Sequence, residues 1–198
     1  MSLLPIVKWP DPRLTAICAP VAEGEDLSGL IANMLETMYD APGRGLAAPQ
    51  VGVLKRLFVM DVDWKDGARN PVVMVNPDIL WRATEIAEGE EGCLSLPELY
   101  GDVPRADEIV VEAYDLNGEP FGIEAEELMA RVIQHETDHL DGVLFFDRMS
   151  EFARQELEPA LADFQTEFER RQRDGDFPGN EALKEQLAKM ETSFEFPD

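Results

Sequence analysis

The chain has 198 residues, 44% of them hydrophobic and 29% charged, which predicts one globular domain of ordinary size. Its 17 basic and 41 acidic residues give a formal net charge of -24, which repels phosphate and anionic lipid and argues against direct binding to nucleic acid or to a membrane surface. Two cysteines in unrelated contexts, a start unlike a signal peptide and no apolar run of about 20 residues predict a cytoplasmic protein.

The first predicted element is an amphipathic helix over residues 27–38. Its apolar residues recur at the spacing of one helical face, and Asp26 is placed to cap its start. Pro42 and Gly43 must end it, because proline cannot continue a helix. Residues 41–50 are then predicted to form a loop of small residues.

Short segments rich in Val, Ile and aromatic residues follow and predict strands. They cover residues 51–60, 71–81 and 109–116. Asn117 and Gly118 separate the last of them from residues 121–125, and this dipeptide favours the tight turn of a β-hairpin. The sequence therefore predicts an antiparallel pair of strands at this point.

Two further helices are predicted towards the end of the chain. Residues 126–141 have apolar positions at helical spacing, acidic residues in the first turn and Gly142 as a stop signal. Residues 151–173 form the next predicted helix. Residues 174–198 contain Pro, Gly and many charges, so we expect an acidic, loosely held tail.

The residues that most clearly indicate chemistry lie inside the helix predicted over residues 126–141. His135 and His139 are four positions apart, so both imidazoles share one face and can bind the same ion. Glu136 lies beside them, placed to move protons without ligating the metal. Five-residue patterns can arise by chance, but these are the only two histidines of the chain, and both fall in this one pattern.

Two histidines leave a third protein ligand to be identified. No histidine follows them, and Asp141, Asp147 and Glu151 are open alternatives. Cys93 is the stronger candidate, because a thiolate binds Zn²⁺ or Fe²⁺ better than a carboxylate of similar reach. It is predicted to lie in a polar, glycine-containing turn over residues 90–97 that presents the thiol.

A thiol hydrolase, with Cys93 as nucleophile and one histidine as base, is the rival interpretation. It leaves the second histidine and the helical spacing unexplained. Cys18 has no neighbour that would activate a thiolate, and we interpret it as a small buried hydrophobic residue.

The segment from Gly43 to Gln50 contributes a weaker signal. Its small residues would let a backbone or a substrate approach closely, and the Gln50 amide could donate a hydrogen bond. Alone, such a segment is more often only a tight connection between two elements.

Together, residues 43–50, 91–97 and 134–142 resemble the three signature motifs of the peptide deformylases, in the same order and with similar spacing. This resemblance implies an α+β fold in which antiparallel sheets surround a central helix carrying the HExxH motif, followed by a C-terminal helix. It also implies a single catalytic domain over residues 1–173, with the C-terminal helix at about 151–173 and the acidic tail at 174–198.

The resemblance implies that Cys93, His135 and His139 bind one divalent ion, typically Fe²⁺ in this family, with Zn²⁺, Ni²⁺ or Co²⁺ as substitutes. The ligands chosen from residue chemistry alone are the same three. The substrates implied are N-formyl-methionyl peptides of newly made chains, from which formate is released.

In the mechanism implied by the resemblance, hydroxide formed at the metal attacks the formyl carbon and Glu136 takes and returns the proton. The Gln50 amide and the backbone N–H of Leu94 would stabilise the negative charge on the carbonyl oxygen. Gly43, Arg44 and Gly45 match the substrate-binding loop of the family.

Two features depart from the family pattern. Arg44 stands where an apolar residue is more common, near the pocket expected for the methionine side chain, so substrate preference is open. The C-terminal helix is acidic, which argues against ribosome docking of the kind attributed to basic helices in some relatives. A metal amidase or peptidase with a different acyl substrate, or an idle metal-binding relative, are the alternatives.

Overall fold

The structure is a computed structural model that describes residues 2–192. Five α-helices are present in this part of the chain: α1 Ser28–Asp40, α2 Glu127–Leu140, α3 Phe145–Arg148, α4 Glu151–Asp174 and α5 Asn180–Thr192. Seven strands accompany them: β1 Gly45–Ala47, β2 Leu57–Met60, β3 Val72–Arg82, β4 Ile86–Cys93, β5 Leu96–Ala106, β6 Glu108–Tyr114 and β7 Pro120–Glu126.

The strands form two antiparallel sheets. Five of them make one sheet in the order β1-β2-β3-β6-β7, and β4 pairs with β5 in a separate hairpin. The predicted hairpin is confirmed: β6 and β7 pair from Glu108 opposite Glu126 to Tyr114 opposite Pro120. Gly118, with φ of 79°, supplies the left-handed residue of the turn. The predicted α+β class is confirmed.

Helix α2 has apolar contacts with the five-stranded sheet and also touches the hairpin strand β5. Ala130, Ile133 and Leu140 of this helix join a buried cluster with sheet residues such as Phe58 and Met74. A second cluster unites the hairpin with α3 and α4. Since each fully buried large side chain stabilises the fold by about 1.5–3 kcal/mol, the first cluster holds α2 on the five-stranded sheet and the second holds the hairpin against α3 and α4.

The first helix and the segment after it follow the predictions in part. Helix α1 ends at Asp40, before Pro42, and the Asp26 carboxylate accepts a hydrogen bond from the Ser28 N–H at 3.0 Å. The loop predicted over residues 41–50 instead contains β1. The strand predicted over residues 51–60 is restricted to β2, because a 3-10 turn, Ala48–Val51, comes first.

The turn predicted over residues 90–97 is largely wrong. Strand β4 continues to Cys93, and β5 begins at Leu96. Within this hairpin Glu91 is paired opposite Gly101. The sequence lacks an apolar face here because the inward Glu91 is stabilised by ion pairs rather than by apolar contacts.

The C-terminal part of the chain also differs from the prediction. Helix α4 ends one residue later than predicted, and Gly175, with φ of 81°, follows it as the left-handed cap. The tail predicted over residues 174–198 contains α5, whose Leu183 is only 2% exposed. Residues 193–198 lie outside the described residues. No helix in the described part is long and apolar enough to cross a membrane.

Candidate metal centre

Helix α2 places two imidazoles on one buried face. His135 and His139 are one helical turn apart, and their ring centroids lie 4.9 Å apart. The helix is kept in this orientation by apolar residues on its other positions, which pack against the five-stranded sheet. The predicted spacing therefore brings both rings to the same place.

Cys93 approaches these rings from the end of β4. The ligand atoms of Cys93, His135 and His139 all lie within 4.8 Å of one another, and the Cys93 Sγ is 3.2 Å from the His139 Nε2. All three side chains are buried. Burial lowers the pKa of His139 well below its usual value, which keeps this imidazole neutral as a metal ligand must be. One thiolate and two imidazoles suit a divalent transition metal, so this donor set fits such an ion.

The two histidines differ in how their second nitrogen is held. The His135 Nδ1 is 2.9 Å from the Glu91 Oε2, which fixes the ring and leaves Nε2 for a metal. Burial disfavours the charged form of Glu91, but hydrogen bonds from His135 and Arg105 outweigh it and lower its pKa to about 2. The buried Nδ1 of His139 has no hydrogen-bond partner in the described part of the chain.

A network of buried charges supports Glu91. The Arg105 guanidinium donates to both Glu91 oxygens at 3.0 Å, and Arg131 donates to Oε1 at 2.8 Å. Arg105 also forms an ion pair with Asp138, which in turn binds Arg148 at 2.7 Å. The network thus links the hairpin to the helix that carries both histidines.

Gln50 and Ser95 surround the thiol. The Gln50 Oε1 accepts the Ala47 N–H at 2.8 Å, which leaves the amide N–H groups to donate to the Cys93 Sγ at 3.3 Å and the Ser95 Oγ at 3.2 Å. The Ser95 N–H also points at the sulfur, at 3.4 Å. The Gln50 amide and the Ser95 N–H therefore hold the Cys93 sulfur in place.

Glu136 is a buried acid without an assigned partner. Its side chain is 4% exposed, and its Oε2 has no hydrogen-bond partner among the described residues. Burial raises the pKa of Glu136 to about 7, opposed by the charges of His135 and Arg105. Gly45 lies against the carboxylate so closely that a Cβ there would be 2.2 Å from the Glu136 Oε1. Only glycine fits this position.

A cleft of about 580 Å³ opens beside these residues. One wall is the segment Gly43–Gly45. Leu94 also lines the cleft, and its carbonyl accepts a hydrogen bond from the Lys8 ammonium at 2.6 Å. The Arg44 guanidinium donates to the Val62 carbonyl. The Arg44 side chain therefore points towards the loop after β2, whereas the Gly45 Cα faces Glu136.

Several residues of the centre were not identified from the sequence. From the sequence alone, no role was assigned to Glu91, Arg105, Arg131 or Asp138. A signal was present, because Arg131, His135 and Asp138 are spaced four and three residues apart and so share a helix face. Likewise, Glu91 and Cys93 are two apart on one strand and point to the same side.

Comparisons with known proteins agree with this centre. The model of the polypeptide deformylase family matches residues 3–155. A peptide deformylase of Alkalilimnicola ehrlichii is 52% identical over 162 residues, which is 81% of this chain and 90% of the relative.

Two solved structures extend the likeness to the fold. A peptide deformylase from Thermus thermophilus superposes with a TM-score of 0.77 at 45% identity, covering 83% of this chain and 99% of the other. Peptide deformylase 1B of Arabidopsis thaliana, in complex with an inhibitor, gives a TM-score of 0.81 at 37% identity over 85% of this chain and 93% of the other.

Proposed function

Since the chain belongs to the polypeptide deformylase family, we propose that Cys93, His135 and His139 hold its divalent metal and that Glu136 transfers the proton. The enzyme is a hydrolase that removes the N-formyl group from the N-terminal methionine of new polypeptides and releases formate. One observation carries the residue assignment. Three ligand atoms lie within 4.8 Å of one another, beside a buried carboxylate whose Oε2 has no hydrogen-bond partner among the described residues.

The metal, when bound, supplies a Lewis acid that lowers the pKa of water and polarises a carbonyl oxygen. We propose Fe²⁺ as the ion used in the cell, with Zn²⁺, Ni²⁺ or Co²⁺ as substitutes. A donor set of one thiolate and two imidazoles accepts each of these ions. The three side chains are supported by Glu91 behind His135 and by the Gln50 amide on the Cys93 sulfur.

Glu136 takes a proton from the attacking water and returns it to the leaving amine. Its geometry supports this role, because the carboxylate follows His135 on the helix, is buried, and has an oxygen with no other partner in the described chain. Gly45 packs directly against the carboxylate. A positioned acid or base of this kind accelerates a reaction by about 10²–10⁴-fold.

The developing oxyanion needs hydrogen-bond donors beside the metal. We assign this role to the Gln50 side-chain amide and the Leu94 backbone N–H. Gln50 is 1% exposed and is fixed through its Oε1 to Ala47, and the N–H that now donates to the Ser95 Oγ is the one that would pass to the oxyanion. Leu94 follows Cys93 directly in the hairpin turn and lines the cleft.

The substrate peptide is proposed to lie along Gly43, Arg44 and Gly45. The two glycines allow close approach, and their α-carbons face Leu94 and Glu136. Arg44 contributes through its backbone, because its guanidinium is engaged by the Val62 carbonyl. This orientation supports formyl-methionyl peptides as substrates despite the charged residue.

We propose that the catalytic domain continues through α4. Leu161 of this helix is 7% exposed and joins the apolar cluster of the hairpin. We further propose that the enzyme works in the cytoplasm, on nascent chains, without docking to the ribosome through α4. The acidic residues on that helix would repel RNA; they include Glu151, Glu156, Glu158, Glu167 and Glu169.

The test is formate release from formyl-Met-Ala-Ser by protein prepared anaerobically with Fe²⁺. We expect rapid release by the wild type and a loss of about 100-fold or more in kcat for Glu136→Gln, with metal content unchanged. Glu156→Gln, on the exposed face of α4, is the matched control and should behave as wild type. Full activity of metal-loaded Glu136→Gln would contradict the assignment of the proton to Glu136.

A further inference from the structure

The loop after β2 has a fixed shape. Asp61 is 1% exposed, and its carboxylate accepts the backbone N–H groups of Trp64 at 3.1 Å and Asn70 at 3.0 Å. The Tyr39 hydroxyl donates to the same carboxylate at 2.6 Å. One buried acid thus ties residues 61–70 to helix α1.

This loop is also bonded to the wall of the cleft. The Trp64 Nε1 donates to the Gly43 carbonyl at 2.7 Å, and the Trp64 ring packs edge-on against Tyr39 with centroids 5.3 Å apart. Next along the wall, the Arg44 carbonyl accepts the Asp61 N–H at 2.9 Å. The backbone of the segment Gly43–Gly45 is therefore held from behind by the loop.

The wall has little freedom on its other side. A Cβ at Gly43 would lie 2.8 Å from the Leu94 Cδ1, and the Gly45 backbone already touches the Glu136 carboxylate. A shift of this strand by a few tenths of an ångström would alter the space between the walls. The hydrogen bond from Trp64 is accepted by the Gly43 carbonyl. Gly43 comes two residues before Gly45, where the pairing of β1 with β2 begins.

We infer that Trp64 is a positioning residue for substrate binding. Its indole N–H fixes the Gly43 carbonyl and so sets the position of the cleft wall along which the peptide lies. The inference rests on the proposed role of Gly43–Gly45 in binding the substrate. Trp64 contacts neither the metal ligands nor Glu136 through any hydrogen bond of the described residues, so it affects the KM rather than the chemical step.

The test is Trp64→Phe, which keeps an aromatic ring and removes the N–H donor. In the Fe²⁺-loaded enzyme we expect the KM for formyl-Met-Ala-Ser to rise about tenfold, with kcat within about twofold of wild type, because one hydrogen bond to the wall is lost. Trp81→Phe is the matched control, since Trp81 is 51% exposed on β3 and outside the residues lining the cleft. Its KM should not change.

A second variant separates the hydrogen bond from packing of the ring. Replacement of Trp64 by 3-benzothienylalanine keeps the bicyclic shape without an N–H, and it should raise the KM as Phe does. A wild-type KM in either variant would overturn the inference, as would a lower kcat at unchanged KM. Absence of formate release by the wild type would instead refute the proposed function.

Discussion

The ion pairs behind the metal ligands and those along α4 have similar lengths but different surroundings. Arg105 lies 3.0 Å from Glu91, and both side chains are 5% exposed. Arg170 lies 2.7 Å from Glu167 on α4, and both are about half exposed, at 51% and 54%. Water screens the second pair, whereas removal of Arg105 from the first leaves the buried Glu91 charge with fewer counter-ions and little water. Burial, rather than distance, decides what each pair contributes to stability.

The largest effect is expected from breaking the buried network. Arg105→Ala should lower the free energy of unfolding by about 3–5 kcal/mol, because it leaves the carboxylates of Glu91 and Asp138 buried with fewer partners. Urea denaturation at constant metal loading measures the loss. Arg82→Ala, at an exposed end of β3, is the control. A loss below about 1 kcal/mol would show that the network is solvated.

A smaller effect is expected where the network meets the metal centre. Glu91→Gln keeps the shape of the side chain but weakens its hold on His135, so we expect metal affinity to fall by about 10–100-fold. Competition with a chelator measures this change. Glu90→Gln, the exposed neighbour on the opposite face of β4, should retain wild-type affinity. Equal metal affinity in the two variants would contradict the proposal that Glu91 orients His135.

The buried thiol of Cys18 shows how burial affects a group that is neutral in the folded protein. Cys18 is 3% exposed, and burial raises the pKa of its thiol from an ordinary value of about 9 to about 12, although the Arg56 charge opposes the shift. Because the unfolded chain loses this proton first, the contribution of Cys18 is complete below pH 9 and is lost as the pH rises towards 12.

The stability difference between wild type and Cys18→Ala should therefore shrink by roughly 1 kcal/mol between pH 8 and pH 10. Urea denaturation at both values checks this. In folded protein, peptide mapping after iodoacetamide treatment at pH 8 should find Cys18 unmodified. A constant stability difference would contradict the raised pKa.

The smallest effect is expected on α4. Arg170→Ala removes ion pairs with Glu167 and Asp174, and we expect only a marginal change in the free energy of unfolding, because water screens both pairs. Thermal unfolding at low and high salt measures it, and the small change should vanish at high salt. A loss comparable to that of Arg105→Ala would invalidate the distinction between the two regions.

The parts of the site that depend on local periodicity were predictable from the sequence. Helical spacing placed His135 and His139 on one face, and thiolate chemistry selected Cys93; the structure brings these three together. The supporting charges were not predictable in this way. Arg105 meets Glu91 only because the hairpin register brings β5 across from β4, and sheet register depends on the whole fold.

The fold shows the same division. Helices α1, α2 and α4 and the turn at Asn117 and Gly118 follow from local patterns, as the structure confirms. Strand β4 was missed because its glycines and glutamates lack the apolar alternation by which strands are recognised. Helix α5 was missed because the charges around it outweighed Leu183 and Leu187, whose burial depends on contacts with distant segments.

The position of Cys93 at the tip of the hairpin has a consequence for the unfolded chain. Cys93 and His139 are 46 residues apart, and an ion held by both would close the intervening segment into a loop. Because only the folded chain brings these ligands together, an ion that binds them stabilises the folded state over the unfolded one, by an amount that grows with the concentration of free metal. The thermal stability of the protein would then depend on the supply of metal, and a chelator would lower its melting temperature.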